Sequence, residues 1–322
     1  MSKLVGHIKQ LWRYPVKSMG GETLEQAYIA PYGLQADRGW ILRDETAGEL
    51  TVVRKTPKLL HYQARYADKV EGDNIPAVII TLPDGSEVRS DDPNASMKVS
   101  DVIGKPLTLW PLQPKSNRSH YRLAGMNGAK AMKRQFASKE LPDLSSISWK
   151  LLMELSLYVT PLGRYYDCYP LHILTDNSLE SMRNIEPEGD FCVERFRPNL
   201  FIESLDKETP FDEFQWVDGT LQIGDTVIKC ESRTVRCSMP AQPQANLSKD
   251  SKVVRALNAH TNRHLGINAS VIKTGNVRVG DEVYWTPAKP SRLRSTFKPL
   301  AGKVKNTLLH NTLKAIDKVS GN

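Results

Sequence analysis

The chain has 322 residues, of which 40% are hydrophobic and 25% are charged, and this composition fits a soluble globular protein of one large or two ordinary domains. The formal net charge is +8, but residues 290–322 carry seven lysines and arginines against Asp317 alone, so the nearly neutral body argues against a general nucleic-acid-binding face. No apolar run approaches the roughly 18 to 20 residues of a membrane-spanning helix.

Short β-prone runs separated by turn clusters predict strands along most of the body. In chain order they cover residues 4–12, 26–30, 40–43, 61–66, 77–82, 107–111, 172–175, 200–203, 220–223, 226–231, 269–274 and 282–285. Helical patterning predicts helices over 178–184, with Thr175 or Asn177 as the cap, over 252–263, and over the basic, amphipathic stretch 303–319. The pattern therefore predicts a strand-rich α+β fold. Its best internal boundary is the polar stretch 115–142, although a loop within one domain has the same pattern.

The first predicted strand leads into a turn that could bind an anion. The segment Tyr14-Pro-Val-Lys-Ser-Met-Gly-Gly21 presents Lys17, the Ser18 hydroxyl and the backbone amides near its two glycines. Such a turn can hold a phosphate by charge and donated hydrogen bonds. It lacks the GxxxxGK[ST] pattern of a Walker A loop, and a surface turn with a solvated lysine is the alternative.

Two arginines lie in short motifs that add to this signal. Arg38 follows Asp37 ahead of Gly-Trp40, and Arg197 lies between Phe196 and Pro-Asn199. A guanidinium suits bidentate recognition of phosphate or carboxylate. The alternative for each is a structural ion pair, which for Arg38 would be with Asp37.

Cys237 is the most informative of four scattered cysteines. The chain has no CxxC pair, and no secretory pattern precedes Leu4, so we expect a reducing, cytoplasmic setting. Cys237 follows Arg236, and an adjacent cation favours the thiolate that attacks electrophiles or binds soft metals. A buried, unreactive cysteine and a Cys-His nucleophile pair are the alternatives. Cys230, inside a predicted strand, is expected in the core.

The histidines give a weaker signal. His260 and His264 have the spacing of one helix face but lack the glutamate of a zinc-peptidase HExxH motif, so a solvated helix end is favoured. His172 lies in an apolar run ahead of Thr175. We interpret it as a hydrogen-bonded core residue, with a place behind a cofactor as the alternative.

Taken in order, four of these motifs resemble the MOSC superfamily. They are Tyr14-Pro-Val-Lys-Ser18, Asp37-Arg-Gly-Trp40, Phe196-Arg-Pro-Asn199 and Arg236-Cys237. The resemblance is closest to the two-part amidoxime-reducing members and their bacterial relatives. It implies a MOSC-type β-barrel core with a smaller N-terminal β-barrel-like domain. The implied division is an N-terminal MOSC β-barrel domain at 1–115, a MOSC domain at 116–287 and a basic tail at 288–322.

The resemblance also implies a molybdenum cofactor, Mo-molybdopterin, with Cys237 as the catalytic sulfur ligand of the metal. The positions that match cofactor-binding positions of the family, besides Cys237, are Lys17, Ser18, Arg38, Thr175, Asn177, Ser178, Arg197, Asn199 and Arg236. Within 175–178, spacing alone does not fix which side chain contributes.

The implied function is a molybdenum-dependent oxidoreductase, independent of pyridoxal phosphate, that reduces small N-hydroxylated or N-oxide compounds. No C-terminal cysteine cluster is present to hold an iron–sulfur centre, so the electrons are expected from a separate flavin, haem or iron–sulfur protein. The chain departs from its relatives at Thr234-Val235 and after Cys237, around the expected substrate mouth. A cofactor carrier or sulfur-transfer protein is the alternative. The tail is expected either to pack on the body or to contact an acidic donor protein or an anionic membrane surface.

Overall fold

The computed structural model describes residues 2–125, 128–289 and 292–319. Its strands are β1 (Lys3–Arg13), β2 (Glu22–Leu24), β3 (Gln26–Ala30), β4 (Gly33–Leu34), β5 (Trp40–Asp44), β6 (Glu49–Leu50), β7 (Gln63–Tyr66), β8 (Val78–Thr81), β9 (Glu87–Arg89), β10 (Leu107–Pro111), β11 (Leu171–Thr175), β12 (Leu200–Ser204), β13 (Thr220–Ile223), β14 (Thr226–Val235), β15 (His264–Lys273), β16 (Gly275–Arg278) and β17 (Glu282–Thr286). The α-helices are α1 (Ala95–Ile103), α2 (Arg118–Tyr121), α3 (Ala129–Gln135), α4 (Trp149–Leu157), α5 (Asp176–Ile185), α6 (Ser251–His260) and α7 (Arg292–Val319). Short 3-10 turns lie at Pro57–His61, Val193–Arg195, Asp212–Trp216 and Met239–Ala241.

Seven strands form a closed barrel in the order β12, β11, β15, β14, β13, β17 and β1. It closes because β1 pairs antiparallel with both β12 and β17. Side chains alternate along the strands as a half-buried sheet requires, so that Leu221 and Ile223 of β13 are buried while Gln222 between them is exposed. The strand-rich fold with a barrel core is confirmed.

A second, smaller β region packs beside this barrel. It contains the sheet β10-β5-β6 and the sheet β7-β8-β9, and α1 covers one side of their shared core. That core includes Leu42, Val78, Ile80, Val99 and Leu107.

The first strands of the chain join the large barrel rather than the smaller region. Besides β1, strand β3 pairs with β16, and Ile8 and Ile29 are buried in the same core as Ile228 and Val283. The physical reason is that β12 and β17 would otherwise be sheet edges. Their unpaired backbone N–H and C=O groups form hydrogen bonds with β1. The boundary at residue 115 stays a prediction, and the barrel takes strands from both sides of it.

Local structure follows most of the predicted elements. The predicted helix over 178–184 lies within α5, and the Thr175 hydroxyl caps it by accepting a hydrogen bond from the Ser178 amide at 3.1 Å. The predicted helix over 252–263 ends earlier, at His260, and His264 begins β15, so the two histidines do not share a helix face. Strand β14 continues past its predicted end to Val235 and so ends two residues before Cys237.

The tail helix α7 packs on the segment 128–149. The Asp317 carboxylate accepts a hydrogen bond from the Lys130 amide at 3.0 Å, and the Lys305 ammonium donates to the Ser145 carbonyl at 3.0 Å. The tail therefore packs on the body, while its contact with an acidic donor protein or an anionic membrane stays a prediction. Within the described ranges, α7 and the other helices lack the combination of length and apolarity that crossing a bilayer requires.

Candidate functional site

The loop that follows β1 holds Lys17 in a buried position. Backbone bonds fix it, including one from the Lys17 amide to the Trp40 carbonyl at 2.9 Å. The Lys17 ammonium donates to the Tyr165 carbonyl at 2.6 Å and lies 2.8 Å from the Asp167 carboxylate. Burial lowers the pKa of Lys17, and the nearby charges of Arg38 and Arg197 lower it further against the opposing charge of Asp167. Lys17 is therefore not the solvated lysine of a surface turn.

Arg38 and Arg197 both lie against the ring of Tyr14. Their guanidinium carbons are 5.1 and 4.1 Å from the ring centre. Arg38 forms the ion pair with Asp37 that the sequence offered as its structural alternative. Arg197 donates to the Met19 carbonyl at 2.5 Å, and burial lowers its pKa to about 10. The two guanidinium groups are thus fixed by an aromatic ring on which each can stack.

Three of the predicted site residues have left-handed backbone conformations. The φ angles are 75° at Ser18, 53° at Arg38 and 53° at Arg197. For a residue with a Cβ atom this conformation costs about 1 to 2 kcal/mol, and such strain is concentrated at functional sites. The surrounding packing holds these three residues in place against that cost.

Arg236 approaches the same region from the end of β14. Its guanidinium donates to the Phe196 carbonyl at 2.9 Å and lies 3.4 Å from His172 Nε2. The Arg236 Nε atom is buried and has no hydrogen-bond partner among the described residues. His172 Nδ1 lies 3.4 Å from the Arg197 carbonyl oxygen, which links the two arginines. We refer to Lys17, Arg38, Arg197 and Arg236 as the cationic cluster.

His172 is a neutral base within this cluster. Burial, and after it the charge of Arg236, lowers the pKa of His172 to about 3. Gly266 gives the ring its space, because a Cβ atom there would collide with the imidazole, and its φ of 74° is one that glycine adopts without strain. His172 is hydrogen-bonded, as the sequence analysis expected, but it is only partly buried and is not part of the hydrophobic core.

Cys237 is half-buried beside the cluster. Burial raises the pKa of its thiol, while a hydrogen bond from the Met239 amide and the charge of Arg236 lower it by less. The expectation that Arg236 makes the free thiolate the favoured form is therefore not met, because the loss of hydration outweighs one guanidinium. A bound metal cation would supply the missing positive charge and deprotonate the thiol.

Thr175, Asn177 and Ser178 lie at the other end of β11 and bond to buried carboxylates. The Thr175 hydroxyl donates to Glu213 at 2.9 Å, and the Ser178 hydroxyl donates to the same carboxylate at 2.7 Å. The Asn177 amide donates to the Thr209 carbonyl at 2.6 Å. The structure does not bring these three side chains to the cationic cluster. We refer to Thr175, Asn177, Ser178, Asp212 and Glu213 as the carboxylate network.

Asn199, by contrast, lies at the cationic cluster. Its side-chain amide donates to the Asp37 carboxylate at 3.0 Å, and its oxygen accepts from the His172 amide at 3.2 Å. Asn199 therefore orients the carboxylate that pairs with Arg38.

Sequence reasoning missed several residues of the site. Asp167 pairs with Lys17 from a loop without a motif, and its side chain is 85% exposed. Gln135, at the end of α3, accepts a hydrogen bond from the Ser238 amide at 3.0 Å through its carbonyl and one from Arg54 at 2.5 Å through its side chain. The segment carrying α3 thus borders the loop of Cys237. These contacts join distant parts of the chain, and no local pattern could have found them.

Two family models match the chain in sequence order. The MOSC N-terminal beta barrel domain matches residues 5–105, and the MOSC domain matches residues 163–284. Among curated proteins, mitochondrial amidoxime reducing component 2 of Homo sapiens is 27% identical over 312 residues, covering 87% of this chain and 83% of that protein. Molybdenum cofactor sulfurase of Oryza sativa subsp. japonica is 24% identical over 272 residues, covering 76% of this chain and 29% of that protein.

Among solved structures, the YuaD protein from Bacillus subtilis aligns with a TM-score of 0.44 at 10% identity, covering 90% of this chain and 100% of that one. The two matched domains account for Lys17 and Arg38 in the first and for Arg197, Arg236 and Cys237 in the second. The chain therefore belongs to the MOSC domain proteins, and it carries their N-terminal β-barrel domain ahead of the MOSC domain.

Proposed function

We propose that the chain is a cytoplasmic molybdenum-cofactor-dependent reductase of small N-hydroxylated or N-oxide compounds. The observation that carries the proposal is the cationic cluster beside Cys237, formed by residues from both matched domains. The printed name of the human relative, an amidoxime reducing component, supports the substrate class. The name of the rice relative supports an association with the molybdenum cofactor.

The residues fit an anionic, sulfur-rich group. Four cationic side chains face two carboxylates, Asp37 and Asp167. The buried Arg236 Nε still lacks an acceptor among the described residues, and an anion with several oxygens would supply one. A cysteine sulfur at the edge of the cluster suits a soft metal.

We assign a role to each residue of the site. Cys237 would be the metal ligand, while Lys17, Arg38 and Arg197 would hold the anionic end of the cofactor. The Ser18 oxygen accepts a hydrogen bond from the Val53 amide at 3.1 Å, and its hydroxyl hydrogen would donate to the anion. When bound, the cofactor would supply the two-electron chemistry that removes the substrate oxygen as water. We assign the two electrons to a separate donor protein of the flavin, haem or iron–sulfur type.

The decisive experiment measures molybdenum and pterin in protein purified from a host that makes the cofactor. The wild type should retain both, and Cys237→Ala should lose the metal. Cys192→Ala is the matched control, because Cys192 is also a half-buried free thiol but is not among the residues assigned to the cofactor. Wild-type protein without metal or pterin would refute the proposal. Cys168, a half-buried free thiol near Asp167 and Lys17, is the rival ligand. Metal that stays in Cys237→Ala but is lost from Cys168→Ala would move the ligand assignment to Cys168.

A cofactor carrier or sulfur-transfer protein is the second candidate, favoured by the similarity to a molybdenum cofactor sulfurase over 76% of this chain. The two candidates differ in turnover. Addition of an amidoxime to loaded protein with a reduced viologen dye should oxidise the dye catalytically if the chain is a reductase. Stable binding without dye oxidation, with transfer of the cofactor to an acceptor apoenzyme, would identify the carrier.

A further inference from the structure

Helix α4 is an apolar helix that lies on the surface. Six of its nine residues are apolar, yet none of the nine, all within the described part of the chain, is buried. Trp149, Met153 and Leu157 are 50%, 60% and 56% exposed. They are spaced four residues apart and therefore form one stripe along the helix. A stripe of this kind indicates a surface that a partner covers.

Helix α7 lies beside α4 and has exposed apolar side chains of its own. The Lys305 ammonium lies 6.0 Å from the centre of the Trp149 ring, and the Asn306 side chain accepts a hydrogen bond from the Leu144 amide at 3.3 Å. These contacts place α7 next to the start of α4. Val304 and Leu308, one turn apart on α7, are 55% and 54% exposed. We call the surface formed by Trp149, Met153, Leu157, Val304 and Leu308 the α4–α7 face.

The surroundings of the α4–α7 face are basic. Residues 128–160 and 302–319 together contain nine lysines and arginines against four aspartates and glutamates. Two of the four carboxylates bind backbone amides, Glu154 that of Leu162 at 2.8 Å and Asp317 that of Lys130 at 3.0 Å. Of the nine lysines and arginines, Lys130, Arg134, Lys139, Lys150, Lys314 and Lys318 are exposed. The face therefore lies in a net positive part of the chain, with Lys150 next to Trp149 in sequence and Lys305 near its ring.

We propose that the α4–α7 face binds the surface of an anionic lipid bilayer. The apolar stripe would lie among the acyl chains near the headgroups, and the lysines and arginines would contact the lipid phosphates, as in helices that lie in the plane of a membrane interface. A tryptophan flanked by lysines suits that depth, because its ring is amphipathic. The proposal does not depend on the proposed redox activity.

Two other occupants fit the face less well. A second copy of this chain would bring two net positive surfaces together, and like charges repel. An acidic protein surface would satisfy the lysines and arginines, but it would also need an apolar patch for Met153 and Leu157. Lipid supplies both parts of the complement.

The test is sedimentation of the full-length protein with vesicles. The wild type should bind vesicles of phosphatidylcholine mixed with phosphatidylserine, should bind less as salt is raised, and should not bind phosphatidylcholine alone. The double variant Met153→Ser/Leu157→Ser should bind the anionic vesicles at least about tenfold more weakly, because two apolar side chains no longer enter the lipid. Brominated lipid should quench tryptophan fluorescence in the wild type and quench less in Trp149→Phe.

The matched control is Met97→Ser/Val102→Ser on α1, where the side chains are 55% and 42% exposed. This variant should bind like the wild type. Equal binding by the two double variants, or no binding of the wild type to anionic vesicles, would overturn the proposal. Binding to poly-glutamate in preference to the vesicles, with no loss in Met153→Ser/Leu157→Ser, would overturn it in favour of an acidic protein partner.

Discussion

Strand β11 carries a buried polar cluster at each end, and the two differ in how far their groups are satisfied. At the start, His172 contacts the cationic cluster, where three residues have left-handed backbones and the Arg236 Nε lacks a partner among the described residues. At the end, Thr175 belongs to the carboxylate network, where the Glu213 carboxylate accepts bonds from two hydroxyls and from the Gly266 amide at 3.2 Å. Strain and unmet hydrogen bonds indicate a binding site, whereas mutual satisfaction indicates a structural one.

The pKa values of the titratable groups at the two ends are also shifted in opposite directions. Burial, and after it the charge of Arg236, lowers the pKa of His172 to about 3, so His172 is neutral. Burial, and after it the charge of Asp212, raises the pKa of Glu213 to about 7. The cationic cluster and the carboxylate network should therefore respond differently in four experiments.

The largest effect is expected from removing the two hydroxyl groups of the carboxylate network. Thr175→Val/Ser178→Ala removes the hydroxyl donors of Glu213 and the N-cap of α5. Each lost buried partner costs about 1 to 3 kcal/mol, so the free energy of unfolding should fall by about 3 kcal/mol in urea titrations. Ser181→Ala on the same helix should change it little. Molybdenum per folded molecule should not change, and a selective loss would show that 175–178 contacts the cofactor, as the resemblance implied.

Arg197→Gln should have the opposite effect, with a loss of cofactor binding rather than of stability. It removes one charged donor from the cationic cluster, and a hydrogen bond to a charged group contributes about 1.5 to 3 kcal/mol. Cofactor affinity should fall by about 10- to 100-fold, measured as cofactor retained after dialysis. Arg183→Gln, at an exposed position on α5, is the control. Equal cofactor retention in both variants would contradict a binding role for Arg197.

Glu213→Gln should reveal the proton of the carboxylate network. The pKa of Glu213 is raised from 4.5 to about 7 in the folded state, so the folded chain holds this proton more tightly than the unfolded chain. The resulting stability is fully present below about pH 4.5 and is lost as the pH rises through about 7. Between pH 5 and 7 the wild type should lose about 2 kcal/mol of unfolding free energy relative to Glu213→Gln. Parallel pH profiles of the two proteins would contradict this assignment.

The smallest effect is expected from inorganic phosphate. An anion that binds the cationic cluster of cofactor-free protein should raise the melting temperature, with a stabilisation of about 1.4 kcal/mol at ten times its dissociation constant. Sodium chloride at the same ionic strength should give less. If Arg197→Gln showed the full phosphate effect, the anion would be binding elsewhere.

The resemblance to the MOSC superfamily predicted that the residues of the cationic cluster share one site, which the spacing within each separate motif does not imply. Lys17, Arg38, Arg197 and Arg236 come from four separate segments, and the structure places them at one junction. The side chains of residues 175–178 bond to Asp212 and Glu213 instead. Gly266 lies between the two sets, because its amide donates to Glu213 and its Cα borders the His172 ring. The role of residues 175–178 in cofactor binding stays a prediction.

Contacts between distant segments were beyond the reach of pattern reasoning. Asp167 contacts Lys17 across 150 positions, and neither lies in a pattern that points to the other.

Helix α4 was not predicted because its apolar residues occur on more than one side of the helix and none is buried. It therefore lacks the core-facing stripe that identifies a helix in a sequence. Helix α1 was also not predicted, because it begins at Ala95, just after the turn-forming residues Asp91-Asp-Pro93.

The pairing of β1 has a consequence for the order in which the chain folds. Lys3 pairs with Trp285, and Gly6 pairs with Ser204, so the barrel closes only when residues about 200 to 280 positions apart come together. Strand β1 is synthesised long before β17 and must wait for it, and pairings of such high contact order form slowly. The loop of Lys17 follows β1 directly, so we expect the anion site to form only after β17 has been synthesised.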